Sequence, residues 1–300
     1  MCADSSYIFE IAELRVDVVF KGGSPANGIG LIPSFAPFML TDSNSEPLLT
    51  ICVNDSVRPV EKTRRELIRD FDTGNGHTSV ERITGGGYQF VIRDIQGRPC
   101  CLLITDNRFR HCRCALNGTY NMRSFGLNNA LMLAYAFSSS WHGTLLIHAS
   151  LVRHAGKGYA FVAKSGTGKS THSRLWLKYI PDTTLLNDDN PVVRLMPDGT
   201  VRVFGTPWSG KTPCYINRSV PVGAFVRLFQ APVNKIVLMQ PPLSGASIIG
   251  SASGMRWDTD FYTRMLQLSF GIAKQTGIFT LHCLPDEEAA RICHAAVTKQ

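Results

Sequence analysis

The sequence predicts an α/β chain whose second half is a mixed-sheet P-loop domain and whose smaller first part is β-rich. Three observations carry this. An apolar, strand-like run, Tyr159-Ala160-Phe161-Val162, passes through a glycine-rich loop into a helical stretch beginning at Thr171. Strand-period alternation dominates the chain up to about Asn121. Hairpin signals recur inside the second half, so its sheet must mix antiparallel with parallel pairs. The expected domains are residues 1–122, β-rich, and 123–300, carrying the loop.

Taken in order, residues 9–18 alternate apolar and polar side chains and read as a strand, and 22–28 read as a loop. The runs 88–93 and 100–104 flank Gln96-Gly97-Arg98-Pro99, a hairpin pattern. Residues 125–137 switch to the helical period, with Leu127, Leu131 and Ala134 on an apolar face expected to pack beneath the second domain. Buried strands are expected at 144–148, 159–162 and 184–187, and a hairpin at 192–204 around Pro197-Asp198-Gly199-Thr200. Strands at 223–228 and 236–239, a helix over 258–274 and a strand at 279–284 follow. A last helix opens at Pro285-Asp286-Glu287-Glu288, its acids favouring the positive end of the helix.

Ala163-Lys164-Ser165-Gly166-Thr167-Gly168-Lys169-Ser170-Thr171 follows the phosphate-binding loop pattern, with Ala163 where a leading glycine is usual. Gly166 and Gly168 let successive backbone N–H groups curl toward phosphate oxygens, and the following helix adds its positive end. Ser165, Gly166, Thr167, Gly168, Lys169, Ser170 and Thr171 are therefore the expected nucleotide-binding residues. Lys169 would reach the β- and γ-phosphates and the Ser170 hydroxyl would ligate magnesium, so ATP and Mg2+ are the implied cofactors. Leu175, Trp176 and Tyr179 are spaced to bury one face of the helix.

Asn187-Asp188-Asp189-Asn190 closes the next strand, and open α/β sheets collect ligands at the carboxyl ends of their strands. Of two adjacent carboxylates beside a phosphate site, one can support magnesium while the other takes the proton of an attacking hydroxyl. Asp188 and Asp189 are both candidates for the base; Ser170 and Asp189 are the expected metal-side residues. His148, at the end of an earlier strand, is placed to polarise an aspartate or touch phosphate. Gly205-Thr206-Pro207-Trp208-Ser209-Gly210-Lys211 is a second glycine-bounded loop, expected to bring Lys211 to a phosphate and Trp208 against an acceptor or base. Arg256 is a further phosphate-clamp candidate.

Composition bounds the partners. With 44% hydrophobic and 18% charged residues this is ordinary globular usage, and the net charge of +8 suits anionic partners such as nucleotides. The basic residues are dispersed, which argues against nucleic acid. No signal pattern or membrane-length apolar run is present, so no membrane partner and a cytoplasmic location are expected. The nine cysteines show no Cys-x-x-Cys spacing, and Cys112 and Cys114 fall on one face of a strand. They read as free thiols used as small apolar side chains.

The order His148, loop, Asp188-Asp189 resembles the kinase domain of bacterial HPr kinase/phosphorylase, which shares its fold with phosphoenolpyruvate carboxykinase. Residues 148–284 are most similar to HPr-kinase-like proteins of anaerobic gut bacteria and of peptide-modifying gene clusters. The resemblance implies that one aspartate is the catalytic base, that the other supports magnesium, and that His148 takes part. The Glu-Ile-Arg-Gly-Leu-Gly signature of true HPr kinases has no counterpart, and Asn190-Pro191 replaces the Glu-His that follows the pair in carboxykinases. The expected activity is transfer of the γ-phosphoryl of MgATP to a hydroxyl, with serine in a protein or peptide as acceptor. A catalytically silent nucleotide-sensing adaptor and an ATP-dependent carboxykinase are the alternatives.

Overall fold

The computed structural model describes residues 4–72, 75–210 and 212–299. The chain divides into two compact units, Met1–Ser139 and Ser140–Gln300, each built on its own mixed sheet.

The first unit contains β1 (Ser5–Ile11), β2 (Leu14–Phe20), β3 (Met39–Leu40), β4 (Leu49–Val53), β5 (Arg65–Asp72), β6 (His77–Ile83), β7 (Tyr88–Arg93), β8 (Pro99–Thr105) and β9 (His111–Leu116). They form one sheet in the order β3-β1-β2-β4-β9-β8-β7-β6-β5. The expected strand over 9–18 is instead a hairpin. Ala12 and Glu13 adopt φ of 51° and 62°, and this two-residue left-handed turn reverses the chain without the glycine or asparagine that would have announced it. The β7–β8 hairpin forms as expected, with Gly97 at φ 77°.

Helix α1 (Tyr120–Ser139) corrects the expected boundary, because it packs on β8, β9, β4 and β7 and so belongs to the first unit. Its approach is close: a methyl group on Gly126 would stand 2.8 Å from the Cys100 carbonyl oxygen. Tyr135 is fully buried and its hydroxyl donates to the Ile11 carbonyl at 2.9 Å, satisfying the polar end of an otherwise apolar side chain. Cys112 and Cys114 are both buried from β9, and burial pushes the Cys112 thiol far above its ordinary value.

The second unit contains β10 (Thr144–Leu146), β11 (Ala149–His154), β12 (Lys157–Val162), α2 (Lys169–Tyr179), β13 (Thr184–Asp189), β14 (Val192–Leu195), β15 (Val201–Phe204), β16 (Ser219–Gln230), β17 (Lys235–Leu238), α3 (Leu243–Ile249), α4 (Thr259–Gln275), β18 (Gly277–Cys283) and α5 (Glu287–Val297). The sheet runs β10-β14-β15-β16-β12-β11-β13, with β18 also pairing β16 and β17 pairing β18. The twelve-residue β16 joins two regions: its first residues pair antiparallel with β15, the rest parallel with β12 and β18. β11 went unread in the sequence because the short turn at Ala155 and Gly156, both at positive φ, hides its hairpin with β12.

β11 is antiparallel to both β12 and β13, so β12 and β13 point the same way and end at the same edge of the sheet. The core beneath that edge is aromatic: Tyr159, Phe161 and Trp176 are buried together with Val226, Leu228 and Leu281, and α5 closes over them with Ala290, Cys293 and Val297. Trp176 is completely buried, an anchor contributing about 3 kcal/mol or more, which fixes α2 against β12. On α2 the buried face is His172, Ser173 and Trp176; Leu175 and Tyr179, expected to share it, lie at its margins. Asp258 and Asp286 cap α4 and α5, accepting from Phe261 N and Ala289 N at 2.9 Å each. Among the described residues no helix is long and apolar enough to cross a membrane.

Candidate functional site

The connection from β12 to α2, residues 163–168, is a loop shaped by glycines. Gly166 sits at φ 77° and Gly168, immediately before α2, at φ 115° and ψ 22°. Side chains rarely adopt these values, so both positions favour glycine on backbone grounds alone. Lys164, Ser165 and Gly166 are exposed at the tip. The Thr167 N–H donates to the Lys164 carbonyl at 3.2 Å, and the Thr167 carbonyl accepts from the Gln230 side chain at 3.3 Å, tying the loop to the end of β16. Thr171 is half-buried on the first turn of α2.

Lys169, the first residue of α2, folds back over this loop and is nearly buried. Its Nζ lies 3.3 Å from the Ala163 carbonyl oxygen and 2.8 Å from Nε2 of His148. An ammonium can only donate, so His148 Nε2 is the acceptor and the ring proton sits on Nδ1. That nitrogen faces Asp189 Oδ1 at 3.1 Å. The ring is thus a neutral link between a cation and a carboxylate. Burial lowers the Lys169 pKa below the usual lysine value, against the opposing pull of Asp189 and then Asp188.

His148 lies between β10 and β11, two residues beyond the strand it was expected to end. Its backbone N–H donates to the Ser251 carbonyl at 2.7 Å, while Ile147 forms a bridge to Ala252. The two side chains of the His148–Asp189 pair are 39% and 35% exposed, so a second molecule can reach them.

The two carboxylates at the end of β13 have different partners. Asp188 is almost buried and its Oδ1 accepts from the Ser170 hydroxyl at 2.9 Å. Asp189 accepts from His148 on Oδ1 and from the Asn190 side chain on Oδ2 at 2.7 Å. Successive residues of a strand point to opposite faces, so β13 sends one carboxylate toward α2 and the other toward His148. Sequence reasoning paired Ser170 with Asp189; the structure brings it to Asp188.

Asn187 was missed as a separate element of the site. Wholly buried, it accepts from the N–H groups of Asp189 and Asn190 at 3.2 and 3.0 Å. Its amide nitrogen reaches the Thr206 hydroxyl and the Trp208 carbonyl, each at 3.2 Å. Thr206 in turn donates to the Asn190 carbonyl at 2.7 Å. The only sequence signal was an asparagine inside an acidic run, which reads equally well as turn chemistry.

These bonds attach the 205–210 segment to β13, as do the Gly210 N–H on the Asp188 carbonyl at 2.8 Å and a bridge between Asp189 and Ser209. Trp208, expected to face an acceptor, is only 3% exposed and is taken up in packing. Lys211 lies outside the described residues. Arg256 is exposed, on the stretch that follows the Ser253 N–H bond to the Leu146 carbonyl. Beneath the site, Ser150 and Ser173 join β11 to α2 hydroxyl to hydroxyl. Burial, with Asp188 nearby, pushes the Cys214 thiol up to about 11, so it stays protonated and inert at neutral pH.

A glycine loop at a helix N-terminus, a lysine folded over it, a hydroxyl on the first turn of the helix and two carboxylates at the adjoining strand end place a cation beside acids. Such an arrangement suits a polyanion whose charge is shared with a cation. A family model described as SynChlorMet cassette protein ScmC matches residues 112–281. No curated protein matches the chain.

Proposed function

The chain belongs to this ScmC family, and we propose that its second unit is an ATP- and magnesium-dependent phosphotransferase acting on a hydroxyl of a protein or peptide. The observation that carries the reading is the convergence of Lys169, Ser170, Asp188 and the His148–Asp189 pair on one glycine loop. The resemblance to HPr kinase/phosphorylase, in the same residues, supports it. The family's description as a cassette protein favours an acceptor encoded alongside it.

In this reading residues 164–168 are a P-loop whose amides, with the N-terminus of α2, hold the β- and γ-phosphates. Magnesium, when bound, neutralises charge on the phosphate oxygens. Ser170 and Asp188 would hold it. Their oxygens stand 2.9 Å apart, and a hydroxyl beside a carboxylate offers the hard oxygen donors that magnesium takes. No three His, Cys, Asp or Glu side chains converge on a metal position among the described residues. An ion held by one carboxylate, one hydroxyl and substrate phosphates needs no such cage. Asp188 thereby takes the metal-side role expected of Asp189.

Asp189 is then the base. It takes the proton of the acceptor hydroxyl as that oxygen attacks the γ-phosphorus, and the bond from phosphorus to the β-phosphate oxygen breaks, releasing the nucleoside diphosphate. His148 is a positioning residue: its Nδ1–H fixes one carboxylate oxygen, and the Asn190 amide fixes the other. Lys169 turns from His148 Nε2 to the phosphates, where its charge is matched by the developing anion.

The test is transfer of label from γ-labelled ATP to proteins or peptides of the native host extract, with and without magnesium. A labelled acceptor that disappears with Lys169→Ala and with Asp189→Asn is the expected result. Absence of any labelled acceptor, with nucleotide bound normally, favours the adaptor; ATP consumption only with oxaloacetate favours the carboxykinase.

A further inference from the structure

We infer that the exposed stacked pair Phe229–His282, at the carboxyl ends of β16 and β18, is the platform for the purine base of the bound nucleotide. The inference rests on the nucleotide reading of the glycine loop. β12, β16 and β18 are mutually parallel, so the loop that follows β12 and the ends of the other two strands share one edge of the sheet. Val162, the last residue of β12, is level with Arg227, and Phe229 lies two residues farther on, alongside the loop. The Gln230 side chain, next in the chain, bonds the Thr167 carbonyl and ties this strand end to the loop itself.

The direction of the ligand follows from charge. Asp188 and Asp189 lie on β13, on the far side of β11 from β12, so the phosphates and their cation belong on that flank. The base, uncharged and flat, belongs on the opposite flank, where β16 and β18 stand. Two strand spacings span about 10 Å, a distance that a ribose and one phosphate bridge.

What waits there is suited to a base. The rings of Phe229 and His282 stack with centroids 5.3 Å apart and planes 17° apart, and the Arg227 guanidinium lies 5.3 Å from the centre of the Phe229 ring. Phe229 is 39% exposed and His282 is exposed. They occupy the sheet face opposite to the buried Leu228 and Leu281, whose side of the sheet is covered by α2 and α5. Lys235, paired with His282 from β17, adds an exposed donor to the same row. A phenyl ring kept exposed and stacked in a basic row is poor for stability and good for stacking a nucleobase.

Calorimetry on the full-length protein with magnesium separates the two readings by comparing the non-hydrolysable ATP analogue AMP-PNP with inorganic tripolyphosphate. Wild type should bind AMP-PNP at least about tenfold more tightly than tripolyphosphate. Phe229→Ala should weaken AMP-PNP about tenfold and leave tripolyphosphate unchanged, and Phe229→Trp should restore AMP-PNP binding. Equal affinity of wild type for the two ligands, or loss of both ligands together in Phe229→Ala, overturns the platform while leaving the loop's role standing. If wild type binds neither ligand, the nucleotide reading fails, and the platform with it.

Discussion

The Nζ of Lys169 stands 2.8 Å from Nε2 of His148, so a nearly buried cation is held by a neutral ring and a backbone carbonyl rather than directly by the two carboxylates beside it. Burial lowers the Lys169 pKa by more than Asp189 and Asp188 raise it. The charge is therefore costly to the fold, a cost that an anion bound at the loop would offset.

Lys169→Met should abolish nucleotide binding and raise the thermal unfolding midpoint of the ligand-free protein. The sign follows from linkage. A lysine whose folded pKa is lowered is penalised while protonated, so the penalty is fully present at neutral pH and eases only as pH rises through the folded value toward the unfolded one. Methionine keeps the aliphatic stem and removes the penalty. Calorimetric titration with AMP-PNP and a melting curve at pH 7 decide it. Retained binding contradicts the site, and a lower midpoint contradicts the electrostatic account.

The two aspartates should separate kinetically. Asp188 meets Ser170 while Asp189 meets His148, so Asp188→Asn should raise the magnesium concentration needed for half-maximal activity. Asp189→Asn should lower kcat by about a hundredfold or more with little change in nucleotide affinity. Magnesium titrations of transfer activity for both variants are the check. Identical phenotypes would mean that the carboxylates do not divide the work.

The glycine loop between β12 and α2 was legible, because Gly166 and Gly168 stand where the chain takes positive φ. The partnership of His148 with Lys169 and Asp189 was only half legible. It depends on β11, whose hairpin turn at Ala155 and Gly156 gives little sequence signal, and on the 251–253 segment that pairs beside His148. The reach of Asn187 across to the 206–208 segment was not legible at all, since a buried asparagine and a turn asparagine look alike in sequence. In the first unit the helical period of α1 identified the element but not its sheet, because an apolar face does not name its partner.

Asn187→Asp should be more destructive than Asn187→Ala. The amide nitrogen donates to the Trp208 carbonyl and the Thr206 hydroxyl, while the amide oxygen accepts from two backbone N–H groups. A carboxylate keeps the second role, turns the first into acceptor against acceptor, and adds a buried negative charge beside Asp188. Alanine should cost about 2–4 kcal/mol of stability through the unsatisfied groups it leaves, and aspartate more. Urea unfolding of both variants measures the difference; an aspartate variant as stable as wild type would disprove the donor assignment.

His172 should set the acid limb of the stability curve. It is 2% exposed on α2, and burial pushes its pKa down to about 4. Its Nε2 accepts the Trp176 indole N–H at 3.2 Å, a bond that requires an unprotonated nitrogen there. The folded state therefore binds fewer protons than the unfolded state wherever the unfolded ring is charged, and stability must rise with pH across that range. The contribution is complete above the unfolded value of about 6.5 and is lost progressively as pH falls toward about 4. The slope is about 1.4 kcal/mol per pH unit, summing to about 3 kcal/mol. His172→Gln retains an acceptor for the indole but cannot titrate, so its stability should fall less steeply between pH 6.5 and 4 than that of wild type. Denaturant unfolding of the two proteins at half-unit pH steps gives the answer, and parallel curves would assign the acid sensitivity to other groups.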